Sequence, residues 1–215
     1  MKPGCLGCGL LVVVILAVGV AVAGGLFLSV NIFLDPDVRP ASFSKSDGFS
    51  AQNKLFEVVL RQSGRSSRTD PIVLTEREAN AFLSRHLEEA AGLRLSPIVV
   101  RFTRQEVLIQ GQTPLRSLLT GPPFAQLAPY VPGARLDQPV WVTVRGRVVL
   151  APDTMGGNRH GRLELTDLAL GKQPVSSILV YVMMGPTASE LLRWRVPAVV
   201  RAVDIEDGRA LIRTR

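Results

Sequence analysis

Histidine, cysteine and paired carboxylates are the residue types best suited to chemistry, and this chain contains few of them. Its two histidines are His86 and His160, and neither has a second histidine or a cysteine at a spacing that metal ligands use. Its two cysteines, Cys5 and Cys8, lack the strand–helix context of a redox pair, which leaves lipidation or an inert role for them. We therefore expect no metal site and no cofactor.

Glu76 and Glu78 are the carboxylates that most resemble an acid–base pair. They follow Thr75, and this order predicts a capping box in which Thr75 is the N-cap and Glu78 the N3 residue. Capping and compensation of the helix dipole account for both carboxylates without catalysis. The sequence also lacks a nucleophile elbow, a phosphate loop and a dinucleotide fingerprint. We therefore predict a protein that is not an enzyme.

The longest pattern in the chain is an apolar run near its N-terminus. Residues 9–30 contain 22 residues without a charge, and residues 31–34 extend the run. As a helix this stretch reaches about 33 Å, enough to cross a hydrocarbon core of about 30 Å. We predict a transmembrane anchor over residues 9–34, after a cytoplasmic tail of residues 1–8. A signal peptide cleaved after Ala23 is the alternative.

The predicted orientation and location follow from the order and lengths of the segments more than from their charges. The few charges beside the apolar run do not decide which end faces the cytoplasm. A short tail before the anchor and a large domain after it are typical of an uncleaved secretory signal. We therefore predict a single-pass protein of the bacterial cytoplasmic membrane, with its C-terminal domain on the extracytoplasmic side.

The basic net charge of +7 bears on the choice of partner. The arginines are scattered along the chain and aromatic residues make up only 6% of it, whereas a nucleic-acid interface is usually a clustered basic patch. We expect no nucleic-acid partner. Attraction to anionic lipid head groups, or an ordinary solvated surface, explains the charge better.

The rest of the chain predicts a linker and one domain. Residues 35–53 are rich in Pro, Ser, Asp and Gly and are predicted as a juxtamembrane linker, which places the domain at residues 54–215. From Thr75 to Ala91 apolar residues recur at the spacing of an amphipathic helix, and Gly92 is placed to end it.

Alternating apolar and polar residues dominate the second half and predict antiparallel strands. The predicted strands are residues 98–103, 106–110, 136–150, 162–170, 202–206 and 209–213. The alternation changes phase between Leu165 and Leu168, which predicts a β-bulge near Asp167. The fold class is therefore α+β.

Two apolar stretches, residues 114–133 and 175–184, do not fit a plain sheet. Each is either ordinary core or part of the lining of a groove for an apolar ligand. If a groove exists, we predict that the helix, the long central strand and the second stretch line it. Its lining would be Phe82, Leu83, Leu87, Val142, Val144, Ile178, Leu179, Val182 and Met183.

Two motifs resemble a known family. After an N-terminal span, residues 74–83 follow the pattern Leu-Thr-Glu-x-Glu-x-Asn-x-Phe-Leu, and residues 168–175 end a strand as Leu-Ala-Leu-Gly-Lys-Gln-Pro-Val. With the terminal hairpin, these resemble the YpmS-like membrane-anchored bacterial proteins. There is looser similarity to LmeA-like envelope proteins of the tubular lipid-binding (TULIP-like) type. The resemblance implies a long twisted antiparallel sheet wrapped around a helix, with an apolar groove between them and no catalytic residues.

Three functions follow, in decreasing order of preference. The first is a non-enzymatic, membrane-tethered envelope protein that binds or helps move a lipid or another long apolar ligand. The second is a scaffold or assembly factor whose apolar surfaces contact a membrane-protein or envelope partner. The third is an enzyme acting on an envelope substrate, for which the sequence offers no recognisable catalytic set.

Overall fold

A computed structural model describes residues 30–39, 41–91, 95–119, 133–152, 159–176 and 193–215. These residues form an α+β fold with antiparallel strands and few helices, as the alternating patterns predict. The helices are α1 (Lys45–Gln62), α2 (Glu76–Ala91) and two single turns, α3 (Leu115–Leu118) and α4 (Gly133–Leu136). The strands are β1 (Ile72–Thr75), β2 (Ile98–Thr103), β3 (Glu106–Pro114), β4 (Pro139–Pro152), β5 (Arg159–Leu170), β6 (Gln173–Pro174), β7 (Arg193–Val196), β8 (Val200–Glu206) and β9 (Arg209–Thr214).

The described strands form two antiparallel sheets, the larger of six strands. One sheet has the order β1-β9-β8, and the other has the order β2-β3-β4-β5-β6 with β7 paired to β5. The terminal hairpin β8–β9 forms as predicted, but it pairs with β1. It does not extend the larger sheet at β2, because side chains from α2 occupy the outer edge of that strand.

Helix α1 begins inside the predicted linker, which is therefore wrong in its second half. Ser44 is the N-cap of a capping box, with Asp47 N–H donating to Ser44 Oγ at 3.3 Å and Ser44 N–H donating to Asp47 Oδ2 at 2.7 Å. Gly48 lies against α2, where an added Cβ would be 3.7 Å from Ala81 Cβ. Ser, Asp and Gly cap and pack a helix here, although a composition rich in these residues is also typical of a loop.

The capping box predicted at α2 is confirmed. Thr75 N–H donates to Glu78 Oε2 at 2.9 Å, and Glu78 N–H donates to Thr75 Oγ1 at 3.3 Å. The bulge is also confirmed, because Arg145 pairs with Asp167 and Gly146 pairs with Leu165, so one extra residue lies between them on β5. The start of the predicted central strand is wrong, since residues 133–136 form α4 and β4 begins only at Pro139.

The last residues of the predicted anchor pack against the domain. Ile32 and Phe33 contact the buried cluster of Leu115, Leu119 and Val140. Lys172 N–H donates to the Asn31 carbonyl at 2.9 Å, and Gly171 lies so close to residues 31–32 that a Cβ there would be 2.2 Å from the Ile32 carbonyl oxygen. Among the residues described, no helix is long and apolar enough to cross a membrane. Residues 1–29 of the predicted tail and anchor lie outside the description.

The core lies between the two sheets and α2. One buried cluster joins α2 to β2, β3, β8 and β9, and its members include Ala79, Val100, Phe102 and Ile205. A second cluster joins α1, β1 and β8 through Val58, Ile72 and Val200. Each sheet turns its apolar face toward the other, which is the arrangement that one-sided alternation requires.

Candidate apolar pocket

The predicted groove residues on α2 and β4 contribute to one apolar layer. Leu83 and Ile109 pack against the same buried cluster, and Ile109 is the cross-strand partner of Val144. Val142 is buried two residues earlier on the same face of β4. Phe82 on α2 is half-buried, and its ring centroid lies 4.6 Å from that of His86.

The other predicted lining residues have side chains outside the part of the chain that the structure describes. Leu87 lies within α2, but its side chain is outside the description. Ile178, Leu179, Val182 and Met183 belong to residues 177–192, which are also outside it. Residues 120–132, within the apolar stretch 114–133, also lie outside the description. The groove as predicted therefore stays a prediction.

An apolar pocket of about 270 Å³ opens elsewhere, between α1 and the end of the larger sheet. We call it the α1–β7 pocket. Five elements meet there, namely α1, β4, β7, β8 and β9, together with the turn after β7. Its lining consists of Leu55, Val58, Val59, Leu150, Trp194, Arg195, Val196, Pro197, Val200, Val203 and Ile212. Ten of these eleven residues are apolar, so the pocket suits a hydrocarbon better than a polar metabolite.

One flank of α1 supplies a wall of the pocket. Leu55, Val58 and Val59 are spaced three and four residues apart, so they share one side of the helix. Val58 is 6% exposed and belongs to the core, whereas Val59 is 55% exposed at the rim. Phe56 continues this exposed apolar surface along α1. The pocket is therefore continuous with an exposed apolar surface.

Strand β7 places Trp194 at the pocket because its partner strand carries a glycine opposite. Trp194 pairs with Gly161, and a Cβ on Gly161 would lie 2.4 Å from the indole Cε2. Any larger residue at position 161 would displace the ring. Trp194 is 42% exposed, so the indole covers Gly161 on one side and borders the pocket on the other.

The opposite flank of α1 is fixed by polar contacts. The Arg61 side chain is only 2% exposed, and its Nη1 donates to the Asp70 carbonyl and to Thr214 Oγ1, each at 2.7 Å. Arg61 Nε also donates to Glu57 Oε1 at 3.0 Å. A buried guanidinium requires acceptors of this kind for its N–H groups. These bonds join α1 to the loop before β1 and to the end of β9.

Glu78 ties α1 to α2. Lys54 Nζ donates to both of its carboxylate oxygens, at 2.7 and 2.9 Å, and Ser50 Oγ donates to Oε1. Burial alone would raise the pKa of Glu78, but the hydrogen bonds from Lys54, Ser50 and Thr75 outweigh it and lower the pKa below its usual value. The predicted capping residue therefore also holds the two long helices together.

Asn80 closes the outer edge of β2. It is 1% exposed, its Nδ2 donates to the Val100 carbonyl at 2.8 Å, and its Oδ1 accepts from the Val100 N–H at 2.7 Å. Glu76 accepts from the next outward N–H, that of Phe102, at 2.7 Å. Asn80 thus imitates a neighbouring strand, and its role is structural. Asp167, beside the bulge of β5, is exposed.

The polar side chains that the structure describes serve mainly to join elements of the fold. Within the described ranges, no three His, Cys, Asp or Glu side chains come together as a metal site would need. The buried polar groups Arg61, Glu78 and Asn80 are engaged in bonds between elements of the fold. The α1–β7 pocket is a described feature whose apolar lining suits a ligand of the predicted chemistry.

Sequence reasoning missed this pocket, although some signals for it were present. The sequence of residues 54–61 is short and apolar enough for either a helix or a strand, so it does not show which side Leu55 and Val59 face. Trp194 is a residue type suited to a membrane interface, which is a signal that the sequence does contain. What the sequence could not show was that β7 pairs with β5 and brings Trp194 beside α1.

Comparison with known proteins gives no relative for this chain: no family model, no curated protein and no solved structure matches it.

Proposed function

We propose that this protein is a membrane-tethered, non-enzymatic envelope protein that binds a lipid or another long apolar ligand, and that the α1–β7 pocket is the binding site. The observation that carries this proposal is the lining, in which ten apolar side chains surround a cavity of about 270 Å³. Burial of hydrocarbon there would be favourable by about 25 cal/mol for each Å² removed from water.

The size of the pocket limits the ligand. Small-molecule sites usually measure about 300–1,000 Å³, so this pocket suits part of one acyl chain and not a whole two-chain lipid. The exposed side chains of Phe56, Val59 and Trp194 extend the apolar surface beyond the pocket. The rest of a ligand chain would lie on that surface.

The position of the pocket relative to the predicted anchor supports a role in moving the ligand. Val140 belongs to the cluster against which the end of the predicted anchor packs, whereas Leu150 lines the pocket. Ten residues of β4 separate them, or roughly 33 Å at the usual rise of a strand. A ligand taken from the anchoring bilayer would travel about that distance. This geometry is compatible with the TULIP-like relationship and the extracytoplasmic location that we propose for the domain.

Native mass spectrometry of the full chain, released from detergent micelles, tests the proposal. The full chain is needed because Ile32 and Phe33 pack against the domain. We expect an added mass that matches a lipid or fatty acid. Val59→Trp should fill the rim and reduce the bound fraction several-fold, whereas Phe49→Trp, at an exposed position of α1 that does not line the pocket, should not. An apo mass that persists when lipid vesicles are supplied would reject the proposal.

A scaffold function is the second candidate, and one observation favours it. Phe49, Phe56 and Val59 form an exposed apolar row on α1, with exposures of 60, 57 and 55%. A partner protein could cover this row by helix-in-groove packing. Photocrosslinking from position 56 in native membranes would then recover one stoichiometric protein. Crosslinks to lipid alone would eliminate the scaffold.

A further inference from the structure

A second cavity, of about 490 Å³, opens on the polar flank of α1, between this helix and strand β1. We call it the α1–β1 cleft. Its lining consists of Asn53, Lys54, Glu57, Arg61, Arg68, Asp70, Pro71, Ile72 and Val73. Glu78 Oε2 accepts from the Thr75 N–H of β1 and from Lys54 Nζ, each at 2.9 Å, so α1 lies beside the outer edge of β1.

This edge of β1 is open at Val73. Strand β1 lies at the end of its sheet, with β9 on one side. Just past β1, the Glu76 N–H donates to the carbonyl of Gly208, in the turn before β9, at 3.1 Å. Because backbone groups alternate between the two sides of a strand, Val73 and Thr75 direct theirs away from β9. Glu78 binds the Thr75 N–H, whereas the N–H and C=O of Val73 have no partner among the residues that the structure describes.

The charged side chains of the cleft compensate one another. At and beside it, three cations meet three carboxylates, namely Lys54, Arg61 and Arg68 with Glu57, Asp70 and Glu78. Hydrogen bonds from Ser66 and Arg61, together with the charge of Arg68, hold the pKa of Glu57 below its usual value. The cleft therefore favours an uncharged partner, and the backbone groups of Val73 remain to be paired.

We propose that the α1–β1 cleft binds an extended, uncharged peptide segment of a partner protein, which pairs with Val73 as an additional strand. Such a segment offers the C=O and the N–H that the two backbone groups of Val73 require, and open strand edges are common sites of strand addition. The inference is independent of the lipid proposed for the α1–β7 pocket.

The opposite wall of the cleft also fits a peptide. Asn53 lies on α1 one turn before Glu57, so both line the cleft from the same side of the helix. The Asn53 carboxamide can donate to and accept from the edge of the peptide that faces away from β1. From Asn53 to Arg61 the helix rises about 12 Å, which is the length of three or four residues of a strand.

The test begins with an array of immobilised ten-residue peptides of defined, varied sequence, incubated with the full chain in mild detergent. The strongest binder is then synthesised in its all-D form and with single backbone amides N-methylated, and binding is measured by fluorescence anisotropy. We expect the all-D form not to bind. N-methylation at one position should weaken binding about tenfold, because it removes the hydrogen bond to the Val73 carbonyl.

Two variants locate the site. Val73→Pro removes the outward N–H and leaves the ladder to β9 intact, and it should weaken binding about tenfold. Asn53→Ala should weaken it several-fold, whereas Gln52→Ala, an exposed neighbour that does not line the cleft, should not. Circular dichroism identifies the variants that are folded. The proposal is overturned if no peptide binds better than its all-D form, or if a folded Val73→Pro or Asn53→Ala variant keeps the wild-type affinity.

Discussion

The two flanks of helix α1 have opposite surroundings. On one flank, Ser50, Lys54, Glu57 and Arg61 recur at intervals of four, three and four residues, and each bonds to a carboxylate, hydroxyl or carbonyl group. On the other flank, apolar side chains border the α1–β7 pocket and are partly open to solvent.

The polar flank therefore determines where α1 lies, and the apolar flank supplies a wall of the pocket. Hydrogen bonds are directional and fix α1 against α2 and β9. The pocket flank does not need close packing to hold the helix in place. We therefore expect substitutions on the polar flank to change stability, and substitutions at the pocket rim to change ligand binding.

The largest loss of stability should come from Arg61→Met. This change leaves the Asp70 carbonyl and Thr214 Oγ1 without their buried donor. Removal of one partner from a buried charged network costs about 3–5 kcal/mol. Urea unfolding of the full chain in mild detergent, followed by fluorescence of Trp141 and Trp194, measures it. Arg209→Met, which removes an exposed arginine paired with Glu206, should cost under about 0.5 kcal/mol.

Asn80→Ala should follow, with a loss of about 3 kcal/mol. The substitution leaves the N–H and the carbonyl of Val100 buried and unpaired, at about 1–3 kcal/mol for each group. The same unfolding experiment applies, with the exposed Asn53→Ala as the control. If the two variants unfold at the same urea concentration, the edge-closing role of Asn80 is wrong.

Glu78→Gln should reduce stability by about 2 kcal/mol at pH 7, because hydrogen bonds to a charged acceptor are lost. The pKa of Glu78 is lowered in the fold, so its contribution is present above the usual carboxyl pKa and is lost as pH falls through the folded value. The difference between wild type and variant should therefore shrink on acidification. A difference that stays constant down to about pH 3 would contradict this linkage.

The smallest effect on stability should come from Val59→Ala at the pocket rim. Because Val59 is largely exposed, we expect a loss under about 0.5 kcal/mol, together with weaker retention of ligand in native mass spectrometry. Val58→Ala, one residue earlier and buried, should cost about 2 kcal/mol. Equal losses for the two variants would contradict the idea that the rim side chains of α1 line the pocket without holding the helix in place.

Local patterns were enough to predict much of the fold. Thr75 and Glu78 identified the start of α2, and the phase change between Leu165 and Leu168 identified the bulge in β5. These features depend on residues close in sequence, whose spacing fixes the geometry. The start of α1 was missed because Ser44, Asp47 and Gly48 are residue types that both loops and capped helices use.

The sequence by itself determined the α+β class, the capped helix α2 and most of the antiparallel strands, because periodicity and capping are local properties. The tertiary structure alone decided that the terminal hairpin pairs with β1, that Arg61 reaches Thr214, and that Trp194 meets α1. Those contacts join residues far apart in the chain. Their partners are selected by mutual burial and by satisfaction of buried polar groups, which no short window of sequence contains.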